Sequence, residues 1–133
     1  MGTLIDTSVL IAVERGRLDP AALQHERDDE EIAMAAITAS ELLHGLHRLK
    51  SAVSRARAER FIDDLLALVP VIPFDLDVAR VHARLDAELS AAGTQVGDAD
   101  LMIAATAVAL DYRIATRDMR SFPRIKGLDV VRW

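Results

Sequence analysis

The sequence predicts an α/β fold in which a central parallel sheet carries helices on both faces. The first observation behind this prediction is that short apolar runs alternate with longer stretches of helical periodicity. The second is that the alternation extends from the start of the chain to its end, without an internal repeat or an interdomain linker. A chain of 133 residues has the length of one well-packed domain, so residues 1–133 are assigned to a single domain.

Two strand–helix units open the chain. The first apolar run, residues 3–5, predicts a strand that stops at Asp6, and the helix after it is expected to end at Gly16. A second strand is predicted over residues 32–37. The helix that follows it is predicted from leucines that recur at helical spacing: Leu42, Leu43, Leu46 and Leu49.

The middle of the chain predicts a helix, a weak strand and another helix. Residues 55–68 have apolar side chains on one helical face, and residues 69–74 contain two prolines, which permit an edge strand but not a central one. Asp75 is placed to cap the next helix, and Gly93 follows its end. Three apolar segments complete the alternation: residues 101–110, 112–116 and 128–133.

The composition excludes several classes of function. The absence of cysteine excludes disulfides, thiolate zinc sites and thiol nucleophiles. A net charge of -5 argues against broad, nonspecific binding of nucleic acid. No apolar run approaches the roughly 20 residues of a membrane-spanning helix, and the N-terminus lacks an export signal, so we expect a cytoplasmic protein without a membrane partner. The acidic segment 25–31 predicts a loose loop or a solvated helix face.

Acidic residues fall where the predicted strands or loops give way to helices or turns: Asp6, Glu41, Asp98 or Asp100, and Asp118. Taken singly, each has a structural explanation. Asp6 or Thr7 suits the N-cap of the first helix, and Asp118 suits a cap of the turn after residues 112–116. Capping alone would therefore account for these two acids.

The two remaining positions also match known caps. Glu41 is the last residue of a capping box that begins at Thr38. Asp98 is placed to cap the apolar helix, with Asp100 two residues further on, where a carboxylate suits the helix dipole. At this point the spacing leaves open which of the two aspartates has a chemical role.

Taken together, the acids favour a metal site. The carboxyl ends of parallel strands meet at one edge of a sheet, and ligands of open α/β sheets bind there. Carboxylates brought close together repel one another, and they either take up protons or bind a cation. Mg²⁺ or Mn²⁺ fits best, because hard cations prefer oxygen ligands. A nuclease or a phosphatase uses such a site to activate water against a phosphate ester.

Other chemistries lack their required spacing. Glu41 and His44 form a Glu-x-x-His segment, but the second copy that a di-iron bundle needs is absent, and the spacing of His44 and His47 does not match that of zinc proteases. Neither a P-loop nor a dinucleotide-binding glycine motif occurs. Ser8, Ser40 and Ser54 lack the glycine-flanked elbow of a serine hydrolase.

Four segments, in their order and spacing, resemble the successive motifs of VapC-type PIN-domain ribonuclease toxins. They are LIDTSVLI at the start, ITASELLHG in the middle, GDADLMIAATA, and IATRDMRSFPRIKGLDVVRW at the end. The resemblance spans nearly the whole chain. It implies a three-layer PIN-like fold, in which a central parallel sheet lies between helices.

The resemblance implies a catalytic role for four residues: Asp6, Glu41, Asp100 and Asp118. The family frame of an acid followed by x-x-Ile-Ala matches Asp100, so Asp100 and Asp6 are the implied metal ligands and Asp98 is left as the helix cap. Glu41 would hold the attacking water, and Asp118 would complete the acidic pocket. Thr116 resembles the small hydroxyl residue that helps to orient the site.

The activity implied by the resemblance is endonucleolytic cleavage, dependent on Mg²⁺ or Mn²⁺, of a structured RNA such as tRNA or rRNA. Such proteins are the toxins of type II toxin–antitoxin systems, so a cognate antitoxin and a homodimer are also implied. Two alternatives stay open: a PIN-domain nuclease of RNA processing or quality control, and a catalytically silent module that binds RNA or protein. Residues 48–60 and Arg117 are candidate contacts to the RNA backbone, because an acidic pocket needs positive charge around it.

Overall fold

A parallel sheet lies at the centre of the structure, a computed structural model that describes residues 2–19 and 30–133. Within that part of the chain the strands are β1 (Gly2–Ile5), β2 (Glu31–Ala35), β3 (Val71–Ile72), β4 (Arg113–Thr116) and β5 (Val130–Arg132). Their order across the sheet is β3-β2-β1-β4-β5, and every neighbouring pair is parallel. The predicted parallel sheet is therefore confirmed.

Helices cover both faces of this sheet. They are α1 (Thr7–Glu14), α2 (Ala36–His47), α3 (Ala52–Leu68), α4 (Leu76–Ala91) and α5 (Asp98–Leu110), with a 3₁₀ turn at Phe122–Arg124. Successive side chains of a strand point to opposite faces, so Leu4 packs with α4 and α5 whereas Ile5 packs with α1, α2 and α3. The three-layer architecture is confirmed.

Several predicted boundaries agree with the structure. Asp6 is the N-cap of α1, and Asp75 caps α4 by accepting a hydrogen bond from the main-chain N–H of Val78 at 2.9 Å. The proline-flanked strand β3 lies at the edge of the sheet, as its two prolines require. Gly93 follows α4 with a φ of 69°, a conformation that glycine adopts without strain.

The junction of β2 and α2 differs from the prediction. The strand ends at Ala35, and Ala36 begins the helix, so the predicted strand over residues 32–37 is two residues too long. The N-cap is Ala35 and no side chain caps it, so the capping box ending at Glu41 is wrong. An uninterrupted apolar run conceals this boundary, because the end of the strand and the start of the helix are both packed inward.

The start of α5 also differs from the prediction. Gly97 is the N-cap, and Asp98 is the first helical residue, exposed and without a capping hydrogen bond. Asp98 as the cap is therefore wrong, and Asp98 and Asp100 both lie in the first turn. Gly97 has extended backbone angles and no side chain, so here the helix start is set by the path of the loop rather than by an oxygen-bearing cap.

Of the acidic segment 25–31, residues 25–29 lie outside the described residues. Glu30 and Glu31 are described: Glu31 begins β2, and the carboxylate of Glu30 accepts hydrogen bonds from Arg113 Nη2 at 2.6 Å and from Thr3 Oγ1 at 2.9 Å. This ion pair links the start of β4 to the residue before β2, and the hydrogen bond from Thr3 adds β1, which lies between those two strands. No helix in the described part of the chain is long and apolar enough to cross a membrane.

Gly2→Ala is expected to destabilise the fold. A Cβ at residue 2 would lie 2.3 Å from Cζ of Tyr112, so the ring would have to leave its place against the core of α4 and α5. Overpacking of this kind typically costs about 1–3 kcal/mol, and urea titration measures that loss as a lower free energy of unfolding. The control is Gly45→Ala in α2, where a Cβ would meet nothing within 4 Å, with an expected gain of about 0.5–1 kcal/mol. Equal stability of the two variants would contradict the steric argument.

Candidate active site

The candidate site lies at the point where the strand order reverses. From β1 the chain proceeds to β2 and β3 on one side of the sheet and then returns to β4 on the other side of β1. Asp6 follows the last residue of β1, and its main-chain N–H donates to the carbonyl of Ala115 in β4 at 2.9 Å. Open α/β sheets bind ligands in the crevice at such a switch point, outside the carboxyl ends of the strands.

Asp6 is held in this crevice by three hydrogen bonds. Its side chain is buried, with 6% of the residue exposed. Oδ1 accepts from the main-chain N–H of Thr7 at 2.8 Å, and Oδ2 accepts from the hydroxyls of Ser8 at 2.8 Å and Thr116 at 2.9 Å. Burial of a carboxylate is costly unless hydrogen bonds of this kind satisfy its oxygens. Since each carboxylate oxygen can accept about two hydrogen bonds, Oδ1 keeps capacity for a further ligand.

The same hydroxyls also hold the turn after β4. Ser8 Oγ accepts from the main-chain N–H of Arg117 at 3.0 Å, and Thr116 Oγ1 accepts from that of Asp118 at 3.0 Å. Each hydroxyl therefore donates to Asp6 and accepts from the turn. From the sequence, Ser8 was considered only as a possible nucleophile, and this structural role was missed. The signal that could have found it is the position of Ser8, two residues after Asp6 at the start of a helix.

Asp100 brings a second carboxylate to the crevice from the first turn of α5. Burial is the main cause that raises its pKa, a hydrogen bond from the Ser121 hydroxyl opposes this, and the charges of Asp6 and Asp118 raise the pKa further. Acids from the ends of β1 and β4 and the start of α5 thus lie close enough to repel one another. Asp98, two residues earlier, is exposed.

Asp118 lies in the turn after β4 and forms an ion pair with Arg120. Its Oδ1 accepts from the main-chain N–H and from Nε of Arg120, each at 3.0 Å, and its Oδ2 accepts from Nη2 of Arg120 at 3.3 Å. The side-chain hydrogen bond from Arg120 is the largest cause that lowers the pKa of Asp118. The main-chain contact agrees with the predicted cap of a turn.

Glu41 is joined to this group through Thr7. It lies exposed on α2, and its Oε1 accepts a hydrogen bond from Thr7 Oγ1 at 2.8 Å. The structure therefore brings Asp6, Asp100 and Asp118 together and attaches Glu41 from a neighbouring helix. The hydrogen bond from Thr7 to Glu41 was also not predicted from the sequence, because a contact between residues 34 positions apart leaves no local pattern.

The donor set suits a hard cation that retains water. Within residues 2–19 and 30–133, no three carboxylate, imidazole or thiolate groups converge closely enough to enclose an ion by themselves. Mg²⁺ is commonly held by one or two carboxylates, with water completing its octahedron. Two aspartates, the buried Asp6 and the half-buried Asp100, meet that requirement in chemical type. Burial is the main cause that raises the pKa of Asp100, and the charges of Asp6 and Asp118 raise it further, so a cation bound there would offset part of this charge.

These observations define an α/β protein with an acidic pocket at the switch point of a parallel sheet. The PIN-domain profile matches residues 3–128. The chain therefore belongs to the PIN-domain family.

Its relatives carry a more specific name. Ribonuclease VapC of Rickettsia bellii is 34% identical over 131 residues, which cover 98% of this chain and 96% of that protein. The crystal structure of VapBC2 from Rickettsia felis, bound to a DNA fragment from the promoter, has a TM-score of 0.91 at 24% identity and covers 100% of this chain and 99% of that chain, which shows the shared fold. VapBC-5 from Mycobacterium tuberculosis, a member of the VapBC family of toxin-antitoxin systems, has a TM-score of 0.79 at 29% identity over 99% of this chain and 98% of that chain.

Asp100→Asn is expected to stabilise the metal-free protein at neutral pH. Because the pKa of Asp100 is raised in the folded state, the wild type loses stability as pH rises from the unfolded-state value of 3.8 through the raised pKa. The asparagine variant has no such loss, so its melting temperature should exceed that of the wild type by a margin that widens over this pH range. The matched control is Asp98→Asn in the same helical turn, which should keep the pH dependence of the wild type. A margin that stays constant with pH would contradict the assignment.

Proposed function

We propose that this protein is an Mg²⁺-dependent endoribonuclease that hydrolyses a phosphodiester bond of a structured RNA such as tRNA or rRNA. The observation that carries the proposal is that Asp6 and Asp118 lie close enough for their charges to act on Asp100 at the switch point of a PIN-domain sheet. The name of the relative from Rickettsia bellii, a ribonuclease, supports the class of substrate.

Asp6 and Asp100 would hold the cation, Mg²⁺ or Mn²⁺. When bound there, such an ion lowers the pKa of a water molecule and stabilises negative charge on the phosphate and the leaving oxygen. The three hydrogen bonds to Asp6 fix its carboxylate before any ligand arrives, so little reorganisation is needed during the reaction. Asp118 completes the acidic pocket.

Glu41 would orient the attacking water and accept its proton. Thr7 Oγ1 binds Oε1 of Glu41 and so holds this carboxylate next to the Asp6 segment, while Oε2 stays available for water. The water oxygen attacks phosphorus in line, the bond from phosphorus to the 3′ oxygen breaks, and that oxygen takes up a proton. The expected products are a 5′-phosphate and a 3′-hydroxyl end.

We also propose that the protein is the toxin of a toxin–antitoxin pair. A groove of about 230 Å³ lies between α1, α2 and α3, and Thr7 and Glu41 contribute to its lining. The remaining lining includes apolar side chains: Ile11, Leu42, Leu46, Leu49 and Ile62. A groove of this type suits an antitoxin segment that ends beside the acidic pocket. The similarity to VapBC-5, a member of a toxin-antitoxin family, supports this partner.

We also propose that two copies of this chain form a homodimer. Large apolar side chains are exposed around the edge strand β3: Leu68 at 77%, Phe74 at 45% and Leu76 at 66%. Clustered apolar exposure beside an edge strand is typical of a protein–protein interface, because water contact with such a surface is unfavourable. This cluster supports dimer formation by the proposed toxin.

Purified protein is expected to cleave total cellular RNA when Mg²⁺ is present and to lose this activity when EDTA removes the metal. Asp6→Asn and Asp100→Asn should each lower the rate by at least 100-fold, an order of magnitude typical for loss of an essential group, as measured by gel analysis and end sequencing of the products. Asp98→Asn is the matched control and should retain most activity. If the wild type cleaves RNA no faster than Asp6→Asn and Asp100→Asn do, the proposed activity is wrong and the protein is a catalytically silent binding module.

Induction of the gene without its antitoxin is expected to arrest growth and protein synthesis within minutes to hours, whereas induction of Asp100→Asn should not. The physical reason is that cleavage of a tRNA or rRNA irreversibly removes a molecule that protein synthesis requires. Optical density and incorporation of labelled amino acids measure the effect. Normal growth with a protein that cleaves RNA in vitro would contradict the toxin role and favour RNA processing or quality control.

A further inference from the structure

Arg120 lies in the turn after β4 and binds back onto Asp118. Nε of Arg120 donates to Oδ1 of Asp118 at 3.0 Å, and Nη2 donates to Oδ2 at 3.3 Å. These two contacts form the planar fork with which a guanidinium recognises a carboxylate or a phosphate. The fork is therefore placed at the acidic pocket in a geometry that a phosphate could also use.

Other arginines with described partners are engaged away from the pocket: Arg55 with the carbonyl of Leu49, Arg84 with Glu88, Arg113 with Glu30, and Arg124 with the carbonyl of Gln95. These contacts join helices, strands and loops of the fold. They also include Arg55, which the sequence analysis counted among the candidate RNA contacts of residues 48–60. Arg120 differs from them because its partner, Asp118, is a member of the acidic pocket.

The pair of Arg120 and Asp118 is open to exchange. The Arg120 side chain is 87% exposed and that of Asp118 is 37% exposed. An exposed ion pair contributes little net stability, because water solvates both charges when they separate. A phosphate that arrives at the pocket can therefore replace Asp118 on the guanidinium at small cost.

The negative charge of the acidic pocket means that RNA binding would benefit from a positive group that is free to contact a phosphate. Asp6, Asp100 and Asp118 repel the phosphates of an RNA backbone, and the binding of that backbone depends on positive groups nearby. We propose that Arg120 is a substrate-binding residue, whose guanidinium exchanges Asp118 for a backbone phosphate of the RNA next to the scissile bond. The inference rests on the proposed function for the identity of the ligand.

RNA binding by a chain that does not cleave tests the inference. The Asp100→Asn protein is titrated into labelled bulk tRNA at several KCl concentrations. When Arg120→Ala is introduced into the Asp100→Asn protein, binding is expected to weaken about tenfold. The slope of log Kd against log salt concentration is expected to fall by about 0.7–0.9, the change for one lost phosphate contact. Arg120→Lys should restore the slope and part of the affinity, because it keeps the charge but not the fork.

Arg84→Ala is the matched control, since Arg84 is also exposed and also pairs with a carboxylate, Glu88, at 3.2 Å on α4. It should change neither the affinity nor the slope. The measurement is repeated with Asp118→Asn, where loss of Arg120 should still weaken binding about tenfold. If Arg120 only positioned Asp118, its effect would disappear in that background.

Unchanged affinity and slope in Arg120→Ala, or disappearance of its effect with Asp118→Asn, would overturn the inference. A wild-type chain that binds tRNA through Arg120 but cleaves no RNA would uphold the inference and contradict the proposed activity. Failure of the two proposals is therefore distinguishable.

Discussion

The candidate site depends on the hydrogen bonds to the buried carboxylate of Asp6. One comes from the main-chain N–H of Thr7 at the start of α1, and the others come from the hydroxyls of Ser8, in the first turn of α1, and of Thr116, the last residue of β4. Because the same hydroxyls accept from the turn that carries Asp118, the position of one acid is coupled to that of another. Removing either hydroxyl would leave Oδ2 of Asp6 with one donor instead of two and would deprive a main-chain N–H of its hydrogen bond, a change that is costly in a folded protein.

Electrostatic repulsion is the second constraint on this site. The pKa of Asp100 is raised mainly by burial and further by the neighbouring charges of Asp6 and Asp118. The guanidinium of Arg120 offsets part of this charge, and its hydrogen bond to Asp118 lowers the pKa of that carboxyl. The free protein therefore carries a destabilising concentration of carboxylates that a cation would relieve. Such unfavourable local arrangements are common where a site is organised for a ligand rather than for stability.

Periodicity predicted which elements form, but not all of their boundaries. The alternation of apolar and amphipathic segments identified the strands and helices because one face of each must be buried. It misplaced the start of α2, since Ala35 and Ile37 are packed inward on either side of the boundary. The residue preferences of helix caps assigned the cap of α5 to Asp98, although Gly97 holds that place. In each case the competing starts differ by one or two residues, and tertiary packing decides between them.

The sequence by itself determined the fold class, the alternation of strands and helices along the chain, and the acids that follow strand ends. Local patterns suffice for these features, because hydrophobic periodicity and capping chemistry act over a few residues. Only the tertiary structure decided which distant residues meet: Thr7 with Glu41 across 34 residues, and Ser8 with the turn after β4. It also decided the fork geometry in which Arg120 binds Asp118, two residues earlier. The long-range contacts arise where segments that follow different strands meet at the carboxyl ends of the sheet, and such a meeting of distant segments has no local signature in the sequence.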